Sequence, residues 1–252
     1  MRALLTRDPA WAAYLLADLD PPYAEHATWF VDEPAGAVVL LYREFRVPVL
    51  SALGPAGACE PLWREALAAC AGAARLFAVC RPEHRAFVGR LSPFTHLDAM
   101  CRMRLPAGAV LPEAGPPSRR LGPGDLAAVE ALFDAALNPD EEPDFFTESM
   151  LALGVYRGVW DGDALLAIAG THVLAPESGV AAIGNVFTHP GARGRGLARA
   201  TTAAVAGELR DRGIPTIVLN VRQGNAPAVA VYRRLGFVVH GDFDEGLARL
   251  PT

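Results

Sequence analysis

The chain of 252 residues carries a formal net charge of -5, and 52% of its residues are hydrophobic, which is enough for a sizeable buried core. All 23 basic residues are arginine, so a Walker A phosphate loop, which needs a lysine at the terminal phosphates, is excluded. The acidic balance argues against a nucleic-acid partner, and no apolar run reaches the ~20 residues of a membrane helix. The N-terminal segment lacks the basic-then-apolar order of a secretory signal, so we expect a cytoplasmic protein with no membrane partner.

Segments in the first half of the chain alternate between strand and helix patterns. Apolar runs bounded by turn residues predict strands, and apolar residues at helical spacing predict helices. The predicted strands are 37–42, 47–53, 75–80 and 97–105, and the predicted helices are 61–72 and 82–91. The cysteines form no C-x-x-C pair, so we predict buried free thiols and neither a metal site nor a redox pair at Cys59, Cys70, Cys80 and Cys101.

A segment rich in proline, glycine and alanine follows at 106–118. It shows no periodicity and is typical of an interdomain linker. The sequence therefore predicts two domains, at 1–108 and 118–252.

The second half begins with two helical patterns, at 124–137 and 145–153. Three apolar strand-like runs then start at Val155, Ala164 and Val180, and the short turns between them predict an antiparallel meander. After a glycine-rich segment the apolar period becomes helical. The predicted order ends with a strand at 216–221, a helix at 225–235 and a strand from Phe237.

The glycine-rich segment, THPGARGRGLARA at 188–200, joins the end of a predicted strand to the start of a predicted helix. Helix N-termini present unpaired amides to an anion, glycines let a ligand approach the backbone, and arginines add bidentate donors. The segment therefore predicts a pyrophosphate site, although a solvated glycine-rich turn has the same composition. A dinucleotide-binding fold is disfavoured, because Arg199 stands where that motif needs a small residue.

Two motifs of the second half occur together. RGRGLA at 193–198 fits R-x-x-G-x-A, and NAPAVAVYRRLGF at 225–237 fits N-x-x-A-x-x-x-Y-x-x-L-G-F. Together they resemble the GNAT superfamily of acetyl-CoA-dependent N-acetyltransferases, most closely its FR47-like branch. The resemblance covers about residues 118–250 and implies an α+β fold, the GNAT fold, in which a mixed sheet is flanked by helices. Coenzyme A would lie where two parallel strands, here 183–188 and 216–221, splay apart.

The resemblance also implies a role for each matching residue. Backbone groups of Phe187 and Thr188 would pair with the pantetheine arm, and Asn225 would bind near its far end. Tyr232 would protonate the departing thiolate, which is chemically reasonable because a phenol pKa of ~10 lies near the ~8.5 of a thiol. The pyrophosphate would be held by the amides of Arg193, Gly194, Arg195, Gly196, Leu197 and Ala198.

The group that removes a proton from the amine acceptor stays open. Many relatives use an acid on the strand before the glycine loop, but this strand offers Asn185 instead. His172, Glu148 and an ordered water remain as candidates. The acidic residues of 140–148 border the implied acceptor entrance, where they would either steer a cationic amine or form a solvated loop.

The first half repeats the element order of the second without its chemical residues. GPAGACEP at 54–61 has no arginine before its glycines, and Val88 occupies the place corresponding to Tyr232. We therefore expect two tandem GNAT-like domains with the first degenerate, an unrelated α+β domain being the alternative. The expected function is acetyl transfer from acetyl-CoA to a primary amine on a small molecule or peptide, without a metal. The alternative function is a non-catalytic acyl-CoA-binding regulatory module.

Overall fold

The computed structural model describes residues 1–70, 72–111, 115–137 and 145–250. The chain divides into two compact units that are interleaved along the sequence. The first unit comprises Met1–Arg102, Val221–Asn225 and 240–250, and the second comprises Met103–Asn220 and Ala226–Val239. The sequential division at 1–108 and 118–252 stays a prediction. Within the described ranges, no helix has the length and apolar character needed to span a membrane.

Helices and strands alternate through most of the chain. The helices are α1 (Arg2–Leu5), α2 (Ala13–Ala17), α3 (Ala56–Ala69), α4 (Arg85–Leu91), α5 (Leu126–Phe133), α6 (Glu148–Leu153), α7 (Leu197–Asp211) and α8 (Ala226–Arg234). The strands are β1 (Ala27–Asp32), β2 (Ala37–Tyr42), β3 (Val49–Leu53), β4 (Arg75–Cys80), β5 (Asp98–Arg104), β6 (Arg119–Arg120), β7 (Arg157–Asp161), β8 (Ala164–Ala175), β9 (Val180–Thr188), β10 (Thr216–Arg222) and β11 (Val238–Arg249).

The first unit contains a mixed sheet in the order β1-β2-β3-β4-β11-β5. Strands β1, β2 and β3 are antiparallel neighbours, β3 and β4 run parallel, and β11 is antiparallel to β4. Helices α3 and α4 cover this sheet with a core built around Trp63 and Phe87, both almost fully buried. All four cysteines are free and buried, as predicted from their spacing.

The second unit contains a mixed sheet in the order β10-β9-β8-β7-β6. Strands β6 to β9 are antiparallel neighbours, and β10 runs parallel to β9. Residues of α5 and α6 pack with Ile168 and Phe187 in one cluster, whereas Leu197 of α7 packs with Ala167 in another. Because side chains alternate between the faces of a strand, these clusters lie on opposite faces of the sheet. The predicted meander and the predicted mixed sheet flanked by helices are confirmed.

Several boundaries differ from those predicted. Helix α3 begins at Ala56, although proline favours the first turn of a helix and the sequence therefore points to Pro61 as the start. Instead Pro55, in an extended conformation, precedes the helix, and Pro61 lies inside it. Strand β1 was not predicted, and α5 and α6 are shorter than the patterns at 124–137 and 145–153. Residues 138–144 lie outside the described residues.

The described parts of the predicted linker pack against α7. The guanidinium of Arg210, near the end of that helix, donates to the carbonyl oxygens of Ala109 at 2.5 Å and Pro106 at 3.0 Å. At the other end of α7, a side-chain carbon on Gly115 would lie 3.4 Å from Cβ of Ala200. These described parts are therefore held by hydrogen bonds to Arg210 and by close packing, and the assignment of the segment as an interdomain linker stays a prediction.

His84 is a buried polar residue of the first unit. Its side chain is fully buried, its Nε2 atom lies 2.8 Å from the carbonyl oxygen of Gly54, and its Nδ1 atom has no hydrogen-bond partner among the described residues. The Gly54 oxygen can only accept, so Nε2 carries the proton. Burial lowers the pKa of His84, because the protonated ring would lose its hydration.

We expect His84 to make the protein sensitive to acid. Its folded pKa lies below the unfolded value of ~6.5, so its contribution is complete above that pH and falls as the pH is lowered, by at most ~1.4 kcal/mol per pH unit. His84→Gln, which keeps a donor for Gly54, should flatten this loss in urea unfolding between pH 5 and 7.5. His26→Gln, at a partly exposed histidine of the same unit, is the control. Identical pH slopes for the wild type and His84→Gln would contradict the assignment.

Candidate active site

Strands β9 and β10 pair along only part of their length. Val180 to Ile183 pair in parallel register with Thr216 to Leu219, and the ladder ends there. Strand β9 continues through Gly184 to Thr188. We call the space along this continuation, on the side away from β8, the strand gap. Its position agrees with the splay implied by the resemblance.

A β-bulge begins where the ladder ends. Gly170 of β8 pairs with Gly184, and Ile168 pairs with Phe187, so two residues of β9 oppose Ala169 alone. One of these two, Asn185, has φ 50°, a left-handed conformation that asparagine tolerates better than most residues. An extra residue of this kind bends the strand and increases its twist. The bulge therefore turns β9 away from β10.

The backbone of β9 alternates between its two neighbours. The His189 amide donates to the Leu166 oxygen at 2.9 Å, so His189 and, two residues earlier, Phe187 direct their N–H and C=O groups toward β8. Thr188, which lies opposite Ala167, directs its backbone groups away from β8, and its carbonyl oxygen accepts from Arg193 Nε at 3.4 Å. The Phe187 side chain packs at 5.9 Å from the Phe133 ring in the core. Of the two residues assigned to pantetheine, Thr188 therefore has the more suitable backbone orientation, and both assignments stay predictions.

The glycine loop follows directly. The His189 Nδ1 atom accepts from the Gly191 amide at 3.1 Å and fixes the first turn. Gly194 and Gly196 have φ 78° and 76°, and a side-chain carbon on Gly194 would meet nothing within 4 Å. The loop therefore leaves open space against its backbone where side chains would otherwise stand.

The amides of residues 194–199 have no backbone acceptor in the described part of the chain. The first amide after Arg193 that donates to a backbone carbonyl there is that of Ala200, which binds the Gly196 oxygen at 3.1 Å. Leu197 is 2% exposed and anchors the start of α7 in the core, while residues 193–196 are exposed. Amides without a backbone acceptor, open space and exposed arginines fit a pyrophosphate. The loop residues assigned from the sequence thus lie together, and their role stays a prediction.

Tyr232 lies on α8 with 7% of its surface exposed. Its ring packs edge-on against Phe237 at 6.2 Å. Burial raises the pKa of Tyr232 to about 12. The phenol is therefore protonated at neutral pH and able to donate.

Asn225 precedes α8 and is exposed, with its amide donating to the Arg222 oxygen at 2.9 Å. It groups with the first unit, whereas the glycine loop and Tyr232 belong to the second. Its role in binding the cofactor stays a prediction.

The candidate bases have different surroundings. The His172 Nε2 atom lies 3.2 Å from Asn185 Oδ1, and Asn185 Nδ2 donates to the Tyr156 hydroxyl at 2.8 Å. Glu148 is exposed on the first turn of α6, and the acidic residues 140–144 lie outside the described residues. Sequence reasoning named His172 but missed Tyr156. The glycines at 170 and 184 were the available signal, since glycine inside a strand often marks the close approach of another group.

The corresponding loop of the first unit is closed. Gly54 follows the parallel strand β3, and its carbonyl oxygen is already bound by His84. A side-chain carbon on Gly54 would overlap the backbone of Gly36 and Ala37, whereas one on Gly57, in the first turn of α3, would meet nothing within 4 Å. The loop is therefore closed at Gly54. Val88 is fully buried and has no hydroxyl. This loop does not offer the arrangement found after β9.

The profile of the acetyltransferase (GNAT) family matches residues 126–237. This match covers the meander, the glycine loop, α7, β10 and Tyr232. Residues 126–237 belong to the GNAT family. The finer assignment to the FR47-like branch stays a prediction.

Curated proteins resemble part of the chain in sequence. A mycothiol acetyltransferase of Rhodococcus erythropolis is 44% identical over 80 residues, which cover 31% of this chain and 27% of that enzyme. The chain spans between 19% and 51% of the length of such curated relatives. The sequence match is therefore confined to part of each protein.

Solved structures match almost the whole chain. A GNAT-family acetyltransferase of Novosphingobium aromaticivorans has a TM-score of 0.70 at 21% identity and covers 97% of both chains. A tandem GNAT protein from the clavulanic acid biosynthesis pathway has a TM-score of 0.57 at 16% identity, covering 86% of this chain and 79% of its own. The chain has the GNAT fold.

Gly196→Val should abolish coenzyme A binding. Gly196 caps α7 at φ 76°, where a β-branched residue is strained and would occupy the space in front of the amides. Isothermal titration calorimetry would measure the affinity. Gly213→Val is the matched control, because Gly213 has the same φ at the far end of α7 and faces open space. Unchanged affinity in Gly196→Val, or equal loss in both variants, would remove the pyrophosphate from this loop.

Proposed function

We propose that the protein is an N-acetyltransferase that moves the acetyl group of acetyl-CoA to a primary amine by direct attack. This proposal rests on one observation, the path of the chain from the end of the β9–β10 ladder into α7. The ladder to β10 ends at Ile183, and the strand then runs directly into an open glycine loop at the start of α7. An edge able to pair with an amide-containing arm thus leads to a loop suited to a pyrophosphate.

Each residue assigned from the sequence would bind a different part of the cofactor. The amides from Arg193 to Ala198 would hold the pyrophosphate, with the Arg193 and Arg195 guanidinium groups adding charge. The backbone of Thr188, beside that of Phe187, would pair with the pantetheine amides, and Asn225 would bind near the far end of that arm. Bound acetyl-CoA supplies the thioester whose carbonyl carbon the amine attacks.

Tyr232 would act as the general acid. A pKa of about 12 keeps the phenol protonated over the working range, and a departing thiolate, whose thiol has a pKa of ~8.5, gains charge as the carbon–sulfur bond breaks.

The acceptor is proposed only as a primary amine, on a small molecule or a peptide. The curated relatives carry the name mycothiol acetyltransferase, and the match to them is partial. A panel of acceptors should therefore contain the amine that mycothiol acetyltransferases acetylate, simple primary amines and a peptide with a free N-terminus. Thiol release measured across this panel tests the function. Coenzyme A binding without turnover of any amine would instead indicate a regulatory acyl-CoA-binding module.

One coenzyme A should bind per chain. The loop after β3 is closed by His84, whereas the loop after β9 is open. Calorimetric titration of the full chain should give a stoichiometry of one, reduced to none by Gly196→Val. A stoichiometry of two, or one site that survives Gly196→Val, would place binding elsewhere.

Tyr232→Phe should fold normally, bind acetyl-CoA and turn over about 10²- to 10⁴-fold more slowly, because it removes a general acid with little change of volume. Steady-state kinetics give the turnover, and calorimetry gives the affinity. Tyr42→Phe is the control, since it removes a buried tyrosine hydroxyl that is bound at 2.7 Å to Glu44 in the first unit. Wild-type turnover in Tyr232→Phe would mean that another group or water protonates the thiolate.

A further inference from the structure

We propose that Arg199 recognises the 3′-phosphate on the ribose of coenzyme A, so that the protein distinguishes coenzyme A from dephospho-coenzyme A. This inference rests on the cofactor site of the proposed function. It adds the residue that selects between two forms of that cofactor. Arg199 follows the last residue of the R-x-x-G-x-A motif, and the motif gives it no role.

The Arg199 guanidinium lies beside the glycine loop. Arg199 belongs to the first turn of α7, whose N-cap is Gly196. Side chains of a helix point toward its N-terminus, so an arginine in the first turn extends over the loop that precedes the helix. Its Nη2 atom is 4.0 Å from the position that a side-chain carbon on Gly196 would occupy, and such a carbon on Gly194 would meet nothing within 4 Å. The charge therefore stands at the edge of the open space in the loop.

No acidic side chain neutralises this charge in the described part of the chain. The Arg199 and Arg195 guanidinium groups make neither an ion pair nor a hydrogen bond there, whereas Arg193 donates to the Thr188 carbonyl oxygen at 3.4 Å. By contrast, Glu208 near the other end of α7 is paired with three arginines. The positive charges of Arg195 and Arg199 are therefore uncompensated, and a bound anion can pair with them.

The position of Arg199 opposes the electrostatics of its helix. Aligned peptide dipoles place a partial positive charge at a helix N-terminus, which favours acidic side chains there and disfavours cationic ones. The first turn of α7 has no acidic residue, and Arg199 adds a full positive charge to it. A side chain that costs stability without a ligand, and stabilises the protein once an anion is bound, is typical of a functional site.

The glycine loop itself already offers enough donors for the pyrophosphate. The amides of residues 194–199 have no backbone acceptor in the described ranges, and Arg193 and Arg195 flank Gly194. Each phosphoryl group of the pyrophosphate carries a single negative charge, so these two arginines match it in charge. Coenzyme A has a further anionic group, the phosphate monoester on its ribose, which carries about 1.5 to 2 negative charges at pH 7. A third arginine matches this extra group.

The backbone that carries Arg199 is fixed by packing. Leu197 and Ala200, on either side of it in the first turn of α7, are 2% and 1% exposed, and Arg199 itself is partly exposed. A guanidinium group can donate two parallel hydrogen bonds to a phosphate, and a rigid helix holds such a group more accurately than a loop does. Arg199 therefore offers a directed contact, whereas Arg195 lies in the loop between two glycines of positive φ.

Calorimetry with two ligands tests the assignment. The wild type should bind coenzyme A about 5- to 50-fold more tightly than dephospho-coenzyme A, the range between an exposed ion pair and a bidentate contact with a phosphate. Arg199→Gln should lose this preference by weakening the binding of coenzyme A, with its affinity for dephospho-coenzyme A unchanged. Arg199→Lys, which keeps the charge without the planar guanidinium, should retain part of the preference.

Arg46→Gln is the matched control, and unfolding in urea gives an independent measurement. Arg46 is an exposed arginine of the first unit that has no ion pair among the described residues, so its variant loses the same charge and should bind both ligands as the wild type does. Without ligand, Arg199→Gln should raise the urea midpoint slightly, because it removes a cation from a helix N-terminus, whereas Arg46→Gln should not. A residue with only a structural role would not make its variant both more stable and weaker in binding coenzyme A.

The outcomes separate this inference from the proposed function. A wild type that binds both ligands equally would overturn the inference and leave the proposed function standing. Equal loss of affinity for both ligands in Arg199→Gln would also overturn it, because the residue would then contact the pyrophosphate, which the two ligands share. Binding of neither ligand by the wild type would defeat the cofactor site, and this inference with it. The expected preference for coenzyme A without amine-dependent thiol release would support this inference and defeat the proposed transfer.

Discussion

The end of the β9–β10 ladder at Ile183 is the constraint on which the site depends. A strand that leaves its neighbour exposes backbone N–H and C=O groups, which in a folded protein need other partners. At Thr188 the carbonyl oxygen accepts from Arg193 Nε at 3.4 Å, and the side-chain hydroxyl is buried without a partner among the described residues. A ligand that carries amides in an extended arm would satisfy an edge of this kind by the same bonds that β10 makes earlier in the strand.

The bulge at Asn185 links this opening to the polar groups beside it. Asparagine combines tolerance of a left-handed backbone with a side chain that both donates and accepts. At this position it fulfils the first requirement with φ 50° and the second by joining Tyr156 to His172. Replacing it with an acid would put a charge against the Tyr156 hydroxyl. The asparagine therefore suits both the bent backbone of β9 and its buried polar neighbours.

Much of the fold could be predicted from local patterns, and much of the site could not. Periodicity predicted β2 and β4 at their observed bounds and the strand–helix order after the glycine loop, because these features depend on residues close in sequence. The motif residues at 193–198 lie in one loop, so spacing alone predicted that they would be together. The link from Asn185 to Tyr156 spans 29 residues and depends on the register of three strands. Register is a tertiary property, and the bulge that sets it has no reliable signal in a single sequence.

Burial shifts the pKa values of Tyr232 and His172 in opposite directions. It raises the pKa of Tyr232 to about 12 and lowers that of His172, because in each case the charged form loses hydration. A raised pKa keeps the phenol protonated at neutral pH but also makes it a weaker acid. Proton transfer from Tyr232 to the proposed thiolate would therefore have to follow the gain of negative charge on sulfur as the carbon–sulfur bond breaks.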